Sequence, residues 1–264
     1  MGAGSNGIEV IDFTPFENPE IRSSDFARPL DHGYLPGVDY YGARNTILNL
    51  EIWGGWASVQ KVLTAFQTQS AEIPLVFQLP VVGKLQVNAR VRRRTGTTIN
   101  QSYNLGAETK VVVDLYSTDP RVYGWTLQTQ TAILTATTAG MTFGVTPPIV
   151  FGAGSSSSVI VTNNGSFETR PVITITGGVT NPYIANDTTG KSLAFNTVLA
   201  AGDTLSLDFL NRTVTFNGTS SRYSWVVDSS QWWTLLPGDN SIRLGGTAGS
   251  PIPTAVVTWR DAYL

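Results

Sequence analysis

Hydrophobic and polar residues alternate with a period of two along most of this chain, and that period places successive side chains on opposite faces of a strand. In the first half the alternation predicts strands near 8–13, 46–53, 73–79, 84–94 and 109–116. The run KLQVNARVRRR puts Leu85, Val87, Ala89 and Val91 on one face and Gln86, Asn88, Arg90, Arg92 and Arg94 on the other. One stretch breaks the pattern. From Ala57 to Gln69, Val59, Val62, Leu63 and Phe66 recur at three- and four-residue spacing, between Gly54-Gly55 and Pro74. That spacing predicts a single amphipathic helix near 56–69, packed by its apolar stripe onto a sheet.

The second half is almost continuous strand signal. DTLSLDF turns Leu205, Leu207 and Phe209 inward, and RTVTFNG continues with Val214 and Phe216 before the tight-turn pair Asn217-Gly218. A Pro-Gly-Asp-Asn turn leads into Ile242 and Leu244, and Val257 and Trp259 alternate with Thr258 and Arg260 near the end. Short strands with turns at close intervals predict a β-sandwich. GAGSSSS (152–158) reads as a loop opening a strand at Val159. Between the halves, Pro120 forces Asp119 out of helical angles and ends a strand. A boundary near 122–125 follows, giving domains 1–123 and 124–264. The fold class expected is all-β with one short helix.

Composition narrows the chemistry. The 264 residues carry a formal net charge of -2, too small for bulk electrostatic binding of nucleic acid. Cysteine is absent, which removes disulfides and thiolate metal sites. No apolar run approaches the roughly 20 residues of a membrane span, so no membrane insertion is expected. MGAGSNGIEV lacks the basic start and apolar stretch of a signal peptide, and Asn6 stands where a myristoylation pattern wants Ser or Thr. Synthesis in a cytoplasm is the expectation.

The single histidine, His32, lies between Pro29 and Pro36 in a loop-like stretch and reads as a turn residue rather than a catalytic base. One histidine also argues against a zinc or iron site, and no cofactor or metal is expected. Asp187, Asp203, Asp208, Asp228 and Asp239 could in principle pair for sugar hydrolysis. Each sits at a turn or on the polar side of a strand, where capping is the simpler role. Arg90, Arg92, Arg93 and Arg94 form the densest charge cluster. Arginine suits interface ion pairs, so Arg90, Arg92 and Arg94 are candidate inter-subunit or partner contacts. Trp225, Trp232, Trp233, Trp259 and Tyr263 concentrate in the second half. Trp225 and Trp233 are the weaker candidates for stacking on a sugar; core packing competes, and Trp259 points inward.

An ordered set of motifs then carries a family resemblance. NNGSFETRPVITITG (163–177), NPYIAND (181–187), AGDTLSLDF (201–209), RTVTFNG (212–218), SSQWWTLLPGDNSIRL (229–244) and the terminal VTWRDAYL resemble the C-terminal domain of the distal tail protein (Dit) of long-tailed, non-contractile bacteriophages. YYGARNTILNLEIWG (40–54), LQVNARVRRR (85–94) and KVVVDLYSTDPRVYG (110–124) resemble its N-terminal domain. The resemblance implies a ring-forming β domain with a helix, followed by a galectin-like β-sandwich. It implies a structural, non-enzymatic virion protein of the tail tip or baseplate, assembled as a hexameric ring. The implied partners are further copies of itself, the major tail tube protein, the tape measure protein, and the tail-tip hub and receptor-binding proteins, with phage DNA passing through the ring. A carbohydrate-binding minor tail protein contacting the host cell wall is the alternative. Some relatives insert a carbohydrate-binding domain, for which this chain has no room.

Overall fold

A computed structural model describes residues 7–53, 55–80, 82–96, 108–134 and 158–264. The loop expected at 152–158 lies outside them except for Ser158. The chain divides into two compact units, residues 1–125 with Leu264 and residues 126–263.

The first unit contains β1 (Ile8–Phe13), β2 (Ile21–Arg22), β3 (Phe26–Ala27), β4 (Tyr34–Leu35), β5 (Tyr40–Tyr41) and β6 (Arg44–Ile52). Helix α1 (Gly55–Ala65), β7 (Ile73–Leu79), β8 (Gly83–Thr95), β9 (Thr109–Ser117) and β10 (Val122–Gly124) follow. The main sheet runs β1-β6-β9-β8-β10, and β7 pairs with β8. Alternation builds it: in β9, Val111, Val113 and Leu115 are buried while Lys110 is exposed. The same rhythm in β6 buries Leu48, Leu50 and Ile52.

Helix α1 lies against β6 and buries Val59 and Val62. It ends at Ala65, earlier than the expected 69. No basic residue occupies its last turn. Arg94 instead donates from Nη1 to the carbonyls of Leu63 (2.7 Å) and Phe66 (3.2 Å), partnering carbonyls that a helix end leaves open and placing positive charge at the negative end of the helix dipole.

The second unit comprises β11 (Gln128–Ile133), β12 (Ser158–Asn163), β13 (Val172–Thr176), β14 (Val179–Asn186), β15 (Lys191–Ala194) and β16 (Val198–Leu199). These are followed by β17 (Thr204–Asp208), β18 (Thr213–Phe216), β19 (Ser220–Ser221), β20 (Gly238–Ala248), β21 (Thr254–Trp259) and β22 (Ala262–Tyr263). One sheet runs β11-β21-β13-β17-β18-β19; the other runs β12-β20-β14-β15, with β16 on β14. One core joins them: Ile173, Leu205, Leu207 and Val257 from the first sheet pack with Val161, Ile184, Leu193, Ile242 and Leu244 from the second. This is the expected sandwich. Asn217 and Gly218, both at positive φ, turn β18 into β19. Trp259 is buried in the core and donates from Nε1 to the Thr162 carbonyl at 3.1 Å.

Three fully buried asparagines fasten the loops at one end of the sandwich. Asn163 donates to the Phe167 carbonyl and accepts from the Gly165 and Ala262 amides. Asn240 holds both backbone groups of Leu236, and Asn186 donates to the Thr234 carbonyl while accepting from Thr188 and Thr189. Full pairing is what permits amides in a core.

Candidate functional site

Residues 20–41 form an arm in which every residue is exposed. Two short pairings hold it as a hairpin: Ile21 and Arg22 of β2 face Tyr41 and Tyr40 of β5, and Phe26 and Ala27 of β3 face Leu35 and Tyr34 of β4. Gly33, at φ +94°, makes the tip turn with its carbonyl accepting from the Arg28 amide. Gly37 is needed where the strands touch, because a Cβ there would lie 2.3 Å from the Ser24 carbonyl oxygen. Ser24 Oγ donates to the Val38 carbonyl, and Asp25 accepts from the Gly37 amide at 2.8 Å. That amide, with the Ser23 hydroxyl, holds the Asp25 carboxyl below its ordinary pKa. His32 sits at the tip, exposed, its amide bonded to the Asp31 carboxylate. It is a turn residue, as expected.

The arm's apolar side chains have nowhere to go in the monomer. Leu30 is 100% exposed, Phe26 68%, Tyr34 67%, Val38 61% and Tyr40 59%. A lone two-stranded hairpin is marginally stable in water, and contiguous exposed apolar surface marks an interaction site. Sequence alternation did not reveal the arm, because its apolar residues serve no core of their own. The available signal was their density between Glu20 and Gly42.

The base of the arm is rigid. Arg44, just after the arm, is fully buried. Its Nη1 donates to the carbonyls of Pro15 (3.0 Å) and Glu17 (2.5 Å), just before the arm, and its Nε donates to the Pro120 carbonyl at 2.7 Å. Burial lowers its pKa, opposed by the nearby Asp119 carboxylate. Asp119 also accepts from Arg121 Nη1 (3.0 Å) and Tyr123 Oη (2.5 Å). Gly42 closes the base, its amide donating to the Glu20 carbonyl at 2.6 Å.

The arginine cluster is arranged differently from the sequence expectation. A β-bulge interrupts β8: Val91 faces Leu115, but Arg93, not Arg92, faces Asp114, and Arg94 faces the buried Val113. One extra residue in one strand reverses the faces beyond it. Arg94 therefore leaves the face of Arg90 and Arg92 and turns to α1. Arg90, Arg92 and Arg93 remain together on the outer face. Arg92 stacks its guanidinium 3.5 Å from the Tyr116 ring centroid, and Arg90 lies 5.3 Å from it while donating to the Ser70 carbonyl. Arg93 pairs with Asp114 at 2.7 Å. Ile47, facing Asp114 from the other side, is 39% exposed. The result is a cluster of three arginines around Tyr116 and Asp114; further along the same face Lys110 pairs with Glu51 at 3.6 Å.

In the second unit the tryptophans mostly serve packing. Trp233 is 3% exposed, with its ring centroid 4.4 Å from that of Phe209, so it has no face to offer a sugar. Its candidacy as a sugar contact is corrected on that ground. Trp225 is half-buried against Phe216, with the Arg222 guanidinium 5.4 Å from its ring. The carboxylates work locally: Asp208 caps the turn at Leu210 and Asn211, Asp203 accepts from Ala200 and Asn217, and Asp239 accepts from Thr162. Asp187 takes both Nε and Nη2 of Arg243, whose Nη1 reaches Tyr183 Oη. Tyr183 lies directly over Gly245, where any Cβ would collide with its ring.

The Arg243 hydrogen bonds hold the Asp187 pKa below its ordinary value. A depressed carboxylate stabilises the fold above its unfolded pKa and loses that contribution as pH falls through the folded value. Thermal melts should therefore fall less steeply below pH 4 in Asp187→Asn than in the native chain, with a difference under about 1 kcal/mol at this exposure. Identical acid profiles would contradict this.

Among the described residues, no group of three or more His, Cys, Asp or Glu could hold a metal, and no helix is long and apolar enough to cross a membrane. The fold is that of a two-unit β protein whose first unit carries an exposed arm rooted at Arg44 and a cluster of arginines on its outer sheet face. Residues 164–263 match the family described as siphovirus-type tail component, C-terminal domain. Among solved structures, the Dit protein of phage SPP1, described as a paradigm of the hub adsorption apparatus in phages infecting Gram-positive bacteria, has the same fold. It aligns with a TM-score of 0.68 at 15% identity, covering 97% of this chain and 94% of that one. A chain of the phage P2 baseplate, in its activated conformation with calcium, aligns with a TM-score of 0.50 at 9% identity, covering 97% and 91%. No curated protein matches the sequence.

Proposed function

We propose that this chain is a structural hub protein of a phage tail tip: a distal tail component that assembles with copies of itself into a ring, hexameric as in the family it resembles. The observation that carries the reading is the combination of the family match over residues 164–263 with a shared fold over 97% of the chain. The ring joins the tail tube and tape measure protein to the tail-tip hub and receptor-binding proteins, and DNA leaves through its opening. The protein resides at the tail tip of the virion. Its role is mechanical rather than enzymatic, which suits carboxylates that are engaged in turns and strands.

A closed ring needs two different complementary patches on each copy. The first unit carries two distinct exposed surfaces, the arm and the arginine face. The carbohydrate-binding alternative draws less support, since Trp233 lies in the core.

Imaging tests the reading in two ways. Purified protein should form closed rings in negative stain, and antibodies to this chain should label the distal end of tails in the assembled particle. Labelling confined to the head, or along the tail shaft, would overturn it.

A further inference from the structure

We propose that the root of the arm is a binding site for a small monovalent anion of the halide class, held between the Arg44 guanidinium and the Thr46 hydroxyl. The inference is independent of the ring reading. Three observations lead to it.

First, both donors are buried and unpartnered. Arg44 is 0% exposed and Thr46 is 3% exposed. Arg44 directs Nε and Nη1 at the carbonyls of Pro120, Pro15 and Glu17, and its Nη2 is left without a hydrogen bond. Thr46 Oγ1 is buried and unpaired in the same way. Buried polar groups are nearly always bonded, so two such donors on one strand point to a common acceptor.

Second, the backbone brings the two donors together. Arg44 and Thr46 both lie on the inner face of β6, two positions and so about 7 Å apart along the strand. Phe13 faces Leu48, and the Thr14 amide donates to the Ile47 carbonyl. The chain leaving β1 therefore brings Pro15 alongside Thr46. Because Arg44 Nη1 reaches the Pro15 carbonyl at 3.0 Å, the guanidinium is folded back along β6 toward Thr46.

Third, charge selects an anion over water. Arg121 is 5% exposed and pairs with Asp119, the same carboxylate that acts on Arg44. The groups that Arg44 bonds directly are neutral carbonyls. The carboxylates on the adjoining segments are engaged elsewhere, Glu17 accepting from Thr14 and Glu72 from Thr118. Two guanidiniums against one carboxylate leave a local charge of +1 inside the unit. Buried charge is costly until it is compensated, and a monovalent anion compensates it where a water cannot. The enclosure of both donors favours a small ion over a hydrated polyvalent oxyanion. Bound there, the ion ties β6 to the segment before the arm and to the turn at Pro120.

The test is calorimetry of the full chain at constant ionic strength and protein concentration, with sodium gluconate replaced stepwise by sodium chloride. An ion that binds only the folded state stabilises it by mass action. Each tenfold rise in chloride above its dissociation constant should raise the melting temperature of the first unit by about 4 °C. Thr46→Val keeps the shape, removes the hydroxyl and leaves every surface charge in place. It should need about tenfold more chloride for the same shift, the usual worth of a hydrogen bond to a charged group. In gluconate it should melt no lower than the native chain, and in chloride below it. Thr46→Ser, which keeps the donor, should respond as the native chain does. Crystals soaked in bromide should show an anomalous peak between Arg44 Nη2 and Thr46 Oγ1.

Equal melting of the native chain in gluconate and chloride would overturn the site and leave water as the bridging group. A native-sized chloride response in Thr46→Val would assign the effect to surface arginines and overturn it equally. A bromide peak without any chloride response would mark an adventitious ion only, with the same consequence. Should Thr46→Val fail to fold, the native and Thr46→Ser responses together with the bromide position decide the matter.

Discussion

Replacing Trp233 by alanine should destabilise the C-terminal unit by about 3–5 kcal/mol, the usual cost of emptying a large aromatic from a core. The ring is 3% exposed and packs against Phe209, itself buried at 2%. Its neighbour Trp232 meets the same Phe209 ring edge-on at 5.0 Å but remains half-buried, so Trp232→Ala should cost distinctly less. A conservative change separates packing from polarity. Trp233 Nε1 is buried without a hydrogen-bond partner. Phenylalanine there would lose some volume and also remove that orphaned donor, so Trp233→Phe should recover most of the stability. Urea unfolding followed by near-ultraviolet circular dichroism checks all three. A Trp233→Ala loss below about 1 kcal/mol would contradict the core assignment, as typical surface changes fall in that range.

Arg44→Met should destabilise the N-terminal unit by about 3 kcal/mol or more. Methionine approximates the buried stem but leaves the carbonyls of Pro15, Glu17 and Pro120 without the donors they now have. Each buried acceptor stranded this way costs about 1–3 kcal/mol, although the carbonyls nearest the surface regain water. The melting temperature of this unit should drop by about 10 °C or more. Arg44→Lys should fall between the two, since an ammonium lacks the planar fork that reaches three carbonyls from different segments. Limited proteolysis gives a second reading. With the clasp gone, cleavage near Glu17 and Gly42 should accelerate ahead of global unfolding. Native-like melting with unchanged cleavage would rule out the clasp.

These two sites also mark where the sequence was legible. Alternation located β1 and β7 residue for residue and β6, β8 and β9 within two residues at their ends. It identified helix α1, the turn at Asn217-Gly218, and the inward face of Trp259. It also held an unused clue: Leu48, Leu50 and Ile52 lie on the buried face of β6, and counting back by twos brings Thr46 and Arg44 inside as well. An arginine at the end of an apolar stripe reads as solvated until the carbonyls that receive it are known, and those come from residues 15, 17 and 120.

The sequence alone determined what is local: the strand period, helix α1 and the tight turns, because sterics and side-chain alternation act over a few residues. The tertiary structure decided what depends on a partner strand. The bulge in β8 is fixed by register against β9, and only that register sends Arg94 to the helix end while Arg90, Arg92 and Arg93 stay outside. Adjacent Trp232 and Trp233 were interchangeable by pattern until the Phe209 ring and the closing of two sheets buried one and left the other at the margin. The arm of residues 20–41 carries apolar residues that no period assigns to a face, because every one of them is exposed and none packs into a core of its own chain.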